Sequence, residues 1–106
     1  MSAFMARQGD VLIIEHDAGI PAECEALARG RDGVVLADGE ATGHRHRIAS
    51  RDATLYEHPS GERFLRVRSS TALLHEEHDP IPVPPGTYRV VRQREYHPSQ
   101  IRVVED

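Results

Sequence analysis

A chain of 106 residues, 39% apolar and 28% charged, is sized for one domain around one core, and its composition is that of a globular protein rather than a disordered one. A formal charge of −4 with neutral histidines speaks against a nonspecific nucleic-acid coat, whose affinity comes from neutralising phosphates. The lone Cys24 excludes an internal disulfide, and the longest apolar run, Val11–Leu12–Ile13–Ile14, is far short of the roughly 20 residues a membrane-spanning helix needs.

With no export signal ahead of the first polar residues, the expected setting is cytoplasmic, with no membrane contact. Residues 1–8 read as a flexible lead-in and residues 9–106 as a single β domain. Gly9–Asp10 opens a strand over Val11 to Glu15, whose unbroken apolar run predicts a central strand covered on both sides. Pro21 to Arg29 is the one helical candidate. Pro21 suits a first turn, Glu23 and Glu25 suit the N-terminal end, and Gly30 can cap the other. An ordered loop fits the same residues.

Strand patterns then follow one another. Gly33 to Ala37 ends at the Asp38–Gly39 turn signal, and a second strand runs from Gly43 to Ala49. Tyr56–Glu57 and Phe64–Val67 flank His58–Pro59–Ser60–Gly61, a hairpin signal. Ala72 to His75 is a further short strand. Pro80, Pro82, Pro84 and Pro85 force an extended connector, because each ring fixes φ and removes a donor. Pro85–Gly86 turns into Thr87 to Val91, and Ile101 to Val104 supplies a last strand. These short strands and frequent turn signals predict an all-β fold, a small barrel or sandwich with at most one short helix.

Chemistry concentrates in the histidines. Four of the seven occupy two clusters, His44–Arg45–His46 and His75–Glu76–Glu77–His78. Side chains alternate along a strand, so His44, His46 and Ile48 share one face while Arg45 and Arg47 share the other. Ile48 marks the histidine face as the inner one. By the same alternation Leu73 and His75 point inward, Glu76 points away, and Glu77 regains the face of His75. A turn near Asp79–Pro80 can bring His78 back toward His75.

Three or four convergent imidazoles with a carboxylate can hold a divalent transition metal, and Zn, Mn, Fe and Ni all fit such a set. The preferred ligands are His44, His46 and His75, with His78 or Glu77 as the fourth. Glu40 lies close enough in sequence to reach the same mouth. Arg94 and Tyr96 share a strand face and are candidates to orient an anionic substrate or stabilise developing charge. A metal-free histidine–carboxylate site and an ordinary polar network are the competing readings. His-Glu-Glu-His departs from the helical zinc-protease signature, which spaces its histidines four apart. Acidic neighbours should raise the pKa of Cys24, which argues against a nucleophile there.

The segments Gly39–Glu40–Ala41–Thr42–Gly43–His44–Arg45–His46, His75 to Ile81, Pro85–Gly86–Thr87–Tyr88 and Arg92 to Tyr96 together resemble a small uncharacterised protein family found in bacteria and phages. The resemblance spans about Arg7 to Asp106 and implies that the two histidine clusters belong to one unit. A weaker similarity is to the cupin barrel, with His44 and His46 matching its His-x-His pair and His75 its returning histidine. Glu57 lies too far beyond His46 to match the cupin glutamate.

The leading expectation is a small metal-binding β-barrel with hydrolytic or other metal-assisted activity, its substrate unknown and its partner a small molecule or protein. The alternatives are a nonenzymatic adaptor for protein or nucleic acid, which would use Arg45, Arg47, Arg66, Arg68, Arg89 and Arg92, and a structural domain that forms homodimers through strand edges. Negative charge and few aromatic residues disfavour nucleic acid.

Overall fold

In the computed structural model, which describes residues 4–31, 33–38 and 44–92, every regular element is a β-strand. The strands are β1 (Met5–Gln8), β2 (Val11–Glu15), β3 (Glu25–Ala26), β4 (Val34–Asp38), β5 (Arg45–Ile48), β6 (Ala53–Glu57), β7 (Arg63–Val67), β8 (Thr71–His75), β9 (His78–Val83) and β10 (Gly86–Arg92). They form a six-stranded sheet in the order β1-β2-β10-β7-β6-β3 and a four-stranded sheet in the order β4-β5-β8-β9. All pairings are antiparallel.

Alternation explains how the two sheets close on each other. Ile13 of β2, Leu55 of β6, Leu65 and Val67 of β7 and Tyr88 of β10 meet Val34 and Leu36 of β4, Ile48 of β5, Leu73 of β8 and Val83 of β9 in one core. Each is no more than 3% exposed, so the apolar face of each sheet covers the other, as in a sandwich or flattened barrel. The all-β expectation holds.

Several local expectations are corrected. Residues Met5–Gln8, expected within a loose lead-in, form β1 and pair with β2 from Met5↔Ile14 to Gln8↔Val11. Gly9–Asp10 is therefore a two-residue hairpin loop, and Gly9 supplies the positive φ, +59°, that such a loop requires. Strand β2 is central in the hydrogen-bonding direction but buries only Val11 and Ile13, leaving Leu12 and Ile14 half-buried.

The helix over Pro21 to Arg29 does not form. Cys24 N–H donates to Pro21 O across a turn (3.1 Å), and Glu25 and Ala26 then pair with Glu57 and Tyr56 of β6. A helix of two turns carries a nucleation cost that few residues repay, whereas the edge of β6 offers immediate backbone partners. Leu27 seals the choice, donating its N–H to Leu55 O and packing on the core.

The proline run is extended as expected, but Pro80 and Pro82 sit inside β9 rather than in a connector. Strand β9 ends the four-stranded sheet, and an edge strand tolerates missing donors. Among the described residues, no helix is long and apolar enough to cross a membrane. The expected strand over Ile101 to Val104 lies outside the described residues.

Candidate functional site

Strand β5 delivers the first pair of histidines. His46 and Ile48 are buried at 2% and 0% exposure, His44 is half-buried, and Arg45 is exposed, which is the alternation expected of a strand with one inward face. Strand β8 lies beside β5, with Arg47 opposite Leu74, and brings His75 alongside. Glu76–Glu77 is the two-residue turn of the β8–β9 hairpin, so His75 pairs directly with His78. The reversal comes three residues earlier than the Asp79–Pro80 turn expected from sequence.

The four imidazoles thus converge from three strands and the lead-in to β5. Ring centroids lie 4.3 Å apart for His46–His75, 4.6 Å for His75–His78, 5.7 Å for His44–His75 and 6.0 Å for His46–His78. The β1–β2 loop closes the floor. A Cβ on Gly9 would stand 2.9 Å from His78 Nε2 and 3.3 Å from His46 Cε1, so only glycine lets the two rings approach the backbone here.

Hydrogen bonds set the proton positions. The register of β8 against β9 shifts between Leu73 and His75. Buried Gln8 spans the irregularity, its amide nitrogen donating to Leu73 O and Asp79 O, both at 3.0 Å. With the amide nitrogen so engaged, Gln8 Oε1 faces His46 Nδ1 at 3.0 Å as an acceptor. Neutral His46 therefore carries its proton on Nδ1 and presents a lone pair at Nε2. His75 is the reverse: Glu77 N–H donates to its Nδ1 (3.0 Å), which places the proton of the neutral ring on Nε2.

Burial, reinforced by His75, pushes the His46 pKa down to about 4. Burial and His78 lower that of His75 as well. Both rings are neutral at pH 7, the form that can bind a metal.

The carboxylates divide by face. Glu76 turns away from the histidines, accepting from Arg45 N–H (2.9 Å) and Arg47 Nη1 (3.1 Å), as alternation predicts. The Arg45 bond comes first among the causes that lower the Glu76 pKa. Glu77 Oε2 lies 3.5 Å from His44 Nδ1, a buried nitrogen that makes no hydrogen bond. Asp10 Oδ1 lies 3.6 Å from His46 Nε2, while Asp10 Oδ2 accepts from Arg92 (3.2 Å). Burial works to raise the Asp10 pKa, but Arg92, the Asp10 backbone N–H and His46 together hold it below its ordinary value.

The structure therefore brings together His44, His46, His75, His78 and Glu77 from the residues singled out in the sequence. Glu40, Arg94 and Tyr96 lie outside the described residues. As the side chains stand, no three or more His, Cys, Asp or Glu groups among the described residues could hold a metal ion. Gln8, Gly9 and Asp10 were missed. Their available signal was a polar–glycine–polar triplet just ahead of the apolar run, read only as the opening of a strand.

Other candidates are less organised. Cys24 is half-buried, and burial, Glu23 and Glu62 raise its pKa, which keeps it a thiol. Arg47, Arg68, Arg89 and Arg92 face Glu76, Asp52, Glu62 and Asp10 in ion pairs.

The chain belongs to the family described as a domain of unknown function (DUF8820), whose model matches residues 7–93. That span contains Gln8, Asp10, all four clustered histidines and Arg92. No curated protein and no solved structure matches the chain.

Proposed function

We propose that the histidine cluster is a binding site for a divalent transition metal, open on one side for metal-bound water to act in hydrolysis. The observation that carries the reading is the convergence of four imidazoles, of which His44 and His46 neighbour His75, and His78 neighbours His46 and His75, at centroid distances of 4.3–6.0 Å. Imidazoles bonded to one ion at about 2.0–2.1 Å place their centroids roughly 4.5–6 Å apart, and three of these four spacings fall in that range, so turning the rings in place is the rearrangement that binding requires.

Two features add support. His46 is held neutral with Nε2 as its lone-pair nitrogen, and the partner on its other nitrogen is the kind of second contact that orients a metal-bound imidazole. His78 is exposed and His75 half-buried, which gives solvent and substrate a way in. An ion with one open position lowers the pKa of a bound water toward neutrality. His46 needs no rearrangement to bind. His75 joins through Nδ1 by releasing the Glu77 N–H bond, or through Nε2 by moving its proton to Nδ1 as well.

The adaptor reading is weaker because four of its arginines already face carboxylates. The test is elemental analysis of untagged protein purified without chelator, followed by titration with Zn(II) and Co(II). Near-stoichiometric uptake, lost in His46→Ala, supports the metal site; no uptake by the folded wild-type protein overturns it.

A further inference from the structure

We propose a second site, on the β6–β7 hairpin, in which Ser60 is a nucleophile toward carboxylic esters and His58 is its general base. The site shares no residue with the histidine cluster and uses no metal.

The turn holds the two side chains together. His58 N–H donates to Glu62 O and Gly61 N–H donates to His58 O, both at 2.8 Å, while Gly61 takes a positive φ, +97°, that favours glycine. Ser60 Oγ comes to rest 2.9 Å from His58 Nδ1. Backbone donors fix the direction of that contact. Ser60 N–H donates to the same Nδ1 (3.0 Å), so this nitrogen carries the lone pair and the proton of the neutral ring is on Nε2. Glu62 N–H donates to Ser60 Oγ (3.3 Å), which leaves the hydroxyl proton for Nδ1. A hydroxyl already aimed at a neutral imidazole is the starting arrangement of nucleophilic catalysis. Glu23 Oε1 lies 3.7 Å from the other nitrogen, Nε2, and sets negative charge beside the imidazolium as it forms.

Room for a small ester lies beside Ser60. This residue lines a cavity of about 610 Å³ whose walls include Leu36, Val90, Arg63 and Arg89, and Gly61 also lines the neighbouring cavity of about 440 Å³ that contains His58. Arg63 and Arg89 contact Glu57 and Glu62 at 3.4 Å in partly exposed pairs, weak enough for a guanidinium to turn to an oxyanion.

Water is the one co-reactant. Ser60 Oγ bonds to the ester carbonyl carbon as its proton passes to His58 Nδ1. The bond to the alcohol oxygen then breaks, and that oxygen takes the proton from Nδ1. In the second half, water bonds to the acyl carbon and gives a proton to Nδ1. The carbon–Oγ bond breaks, Oγ recovers the proton, and the carboxylic acid leaves.

The test follows hydrolysis of p-nitrophenyl acetate by the full chain with chelator present, with folding checked by circular dichroism. Ser60→Ala and His58→Ala should each lower the protein-dependent rate about tenfold or more, whereas Ser70→Ala, at an exposed serine between β7 and β8, should stay within about twofold of wild type. Glu23 is a positioning residue: Glu23→Gln should lower kcat severalfold and leave KM unchanged, and an unchanged kcat overturns that role. A wild-type rate equal to that of buffer, a rate that chelator abolishes, or a Ser60→Ala variant as fast as wild type overturns the proposal. Should either alanine variant fail to fold, an alkyl fluorophosphonate added to the wild-type chain decides. An adduct on Ser60, located by mass spectrometry of its peptides, supports the nucleophile; no adduct there overturns it.

Discussion

Gln8 and His46, 38 positions apart in sequence, are joined by a buried hydrogen bond of 3.0 Å that decides which nitrogen of the histidine is available for chemistry. The same glutamine amide donates to Leu73 O and Asp79 O. One side chain therefore ties the β1–β2 hairpin, β5 and the β8–β9 hairpin together at the floor of the histidine cluster.

Replacing Gln8 by leucine should remove all three bonds at once. Two carbonyls lose their side-chain donor and His46 Nδ1–H its acceptor, and each unsatisfied buried group costs about 1–3 kcal/mol. Partial relaxation and entry of water reduce the sum, so a loss of about 2–4 kcal/mol is expected in urea unfolding. Nitrogen-15 spectra of the imidazoles provide a second readout. In the wild type His46 should report the Nδ1–H form, and in Gln8→Leu that preference should disappear.

Gly9 is expected to resist substitution too, by a smaller margin and for a different reason. Its φ of +59° is unfavourable for any side chain, and an added Cβ would come within 2.9 Å of His78 Nε2. His78 is exposed and can swing aside, so the steric part is partly relieved at the expense of the cluster. Gly9→Ala should cost about 1–2 kcal/mol through the backbone, measured by thermal or urea unfolding. It should also displace the His78 ring signals more than those of His44. A variant as stable as wild type, with unmoved His78 signals, would contradict the close approach.

Much of this arrangement was legible in the chain, because strand alternation is a local rule. It placed His44, His46 and Ile48 on one face, turned Arg45 outward and assigned Glu76 to the side opposite His75, all without knowing which strand neighboured which. What escaped was long-range. Asp10 meets Arg92 across 82 positions, and nothing near either residue announces the pair. The β8–β9 irregularity that recruits Gln8 is likewise a property of two strands together, invisible in either alone. Pro21 to Arg29 was open between a helix and an ordered loop on local grounds, and a nonlocal competitor, the open edge of β6, decided it. Pro80 and Pro82 were correctly read as extended; their place in a strand depended on β9 falling at the edge of its sheet.

Face assignment can be tested with charge changes that leave the cluster alone. Glu76 binds Arg45 N–H and Arg47 on the side away from the imidazoles. Glu76→Gln should therefore leave Zn(II) affinity within about twofold of wild type, as should Arg45→Ala, because neither side chain shares the face of His46. His46→Ala should abolish most of the binding under the same conditions. A large loss of affinity in Glu76→Gln, with circular dichroism unchanged, would show that the β8–β9 turn presents its other side to the site.

Acid should destabilise the protein before its carboxylates titrate. The His46 pKa falls from its ordinary 6.5 to about 4 on folding, and that of His75 is also lowered. Between those two values the unfolded chain binds more protons than the folded one, so stability falls as pH falls below 6.5 and levels off once the folded imidazole is itself protonated. For His46 alone the loss between pH 6.5 and pH 5 is about 1.6 kcal/mol, and His75 adds to it in the same direction. The lowered carboxylates Asp10 and Glu76 act in a different window: their stabilisation is present above the ordinary carboxylate range and is lost as pH falls through their folded values. The interval from pH 6.5 to 5 therefore isolates the histidines. Urea unfolding with chelator present, repeated at half-unit steps, should show that slope in the wild type and a much shallower one in His46→Leu. An equal slope in the two proteins would mean that His46 is not the buried neutral imidazole on which the site is built.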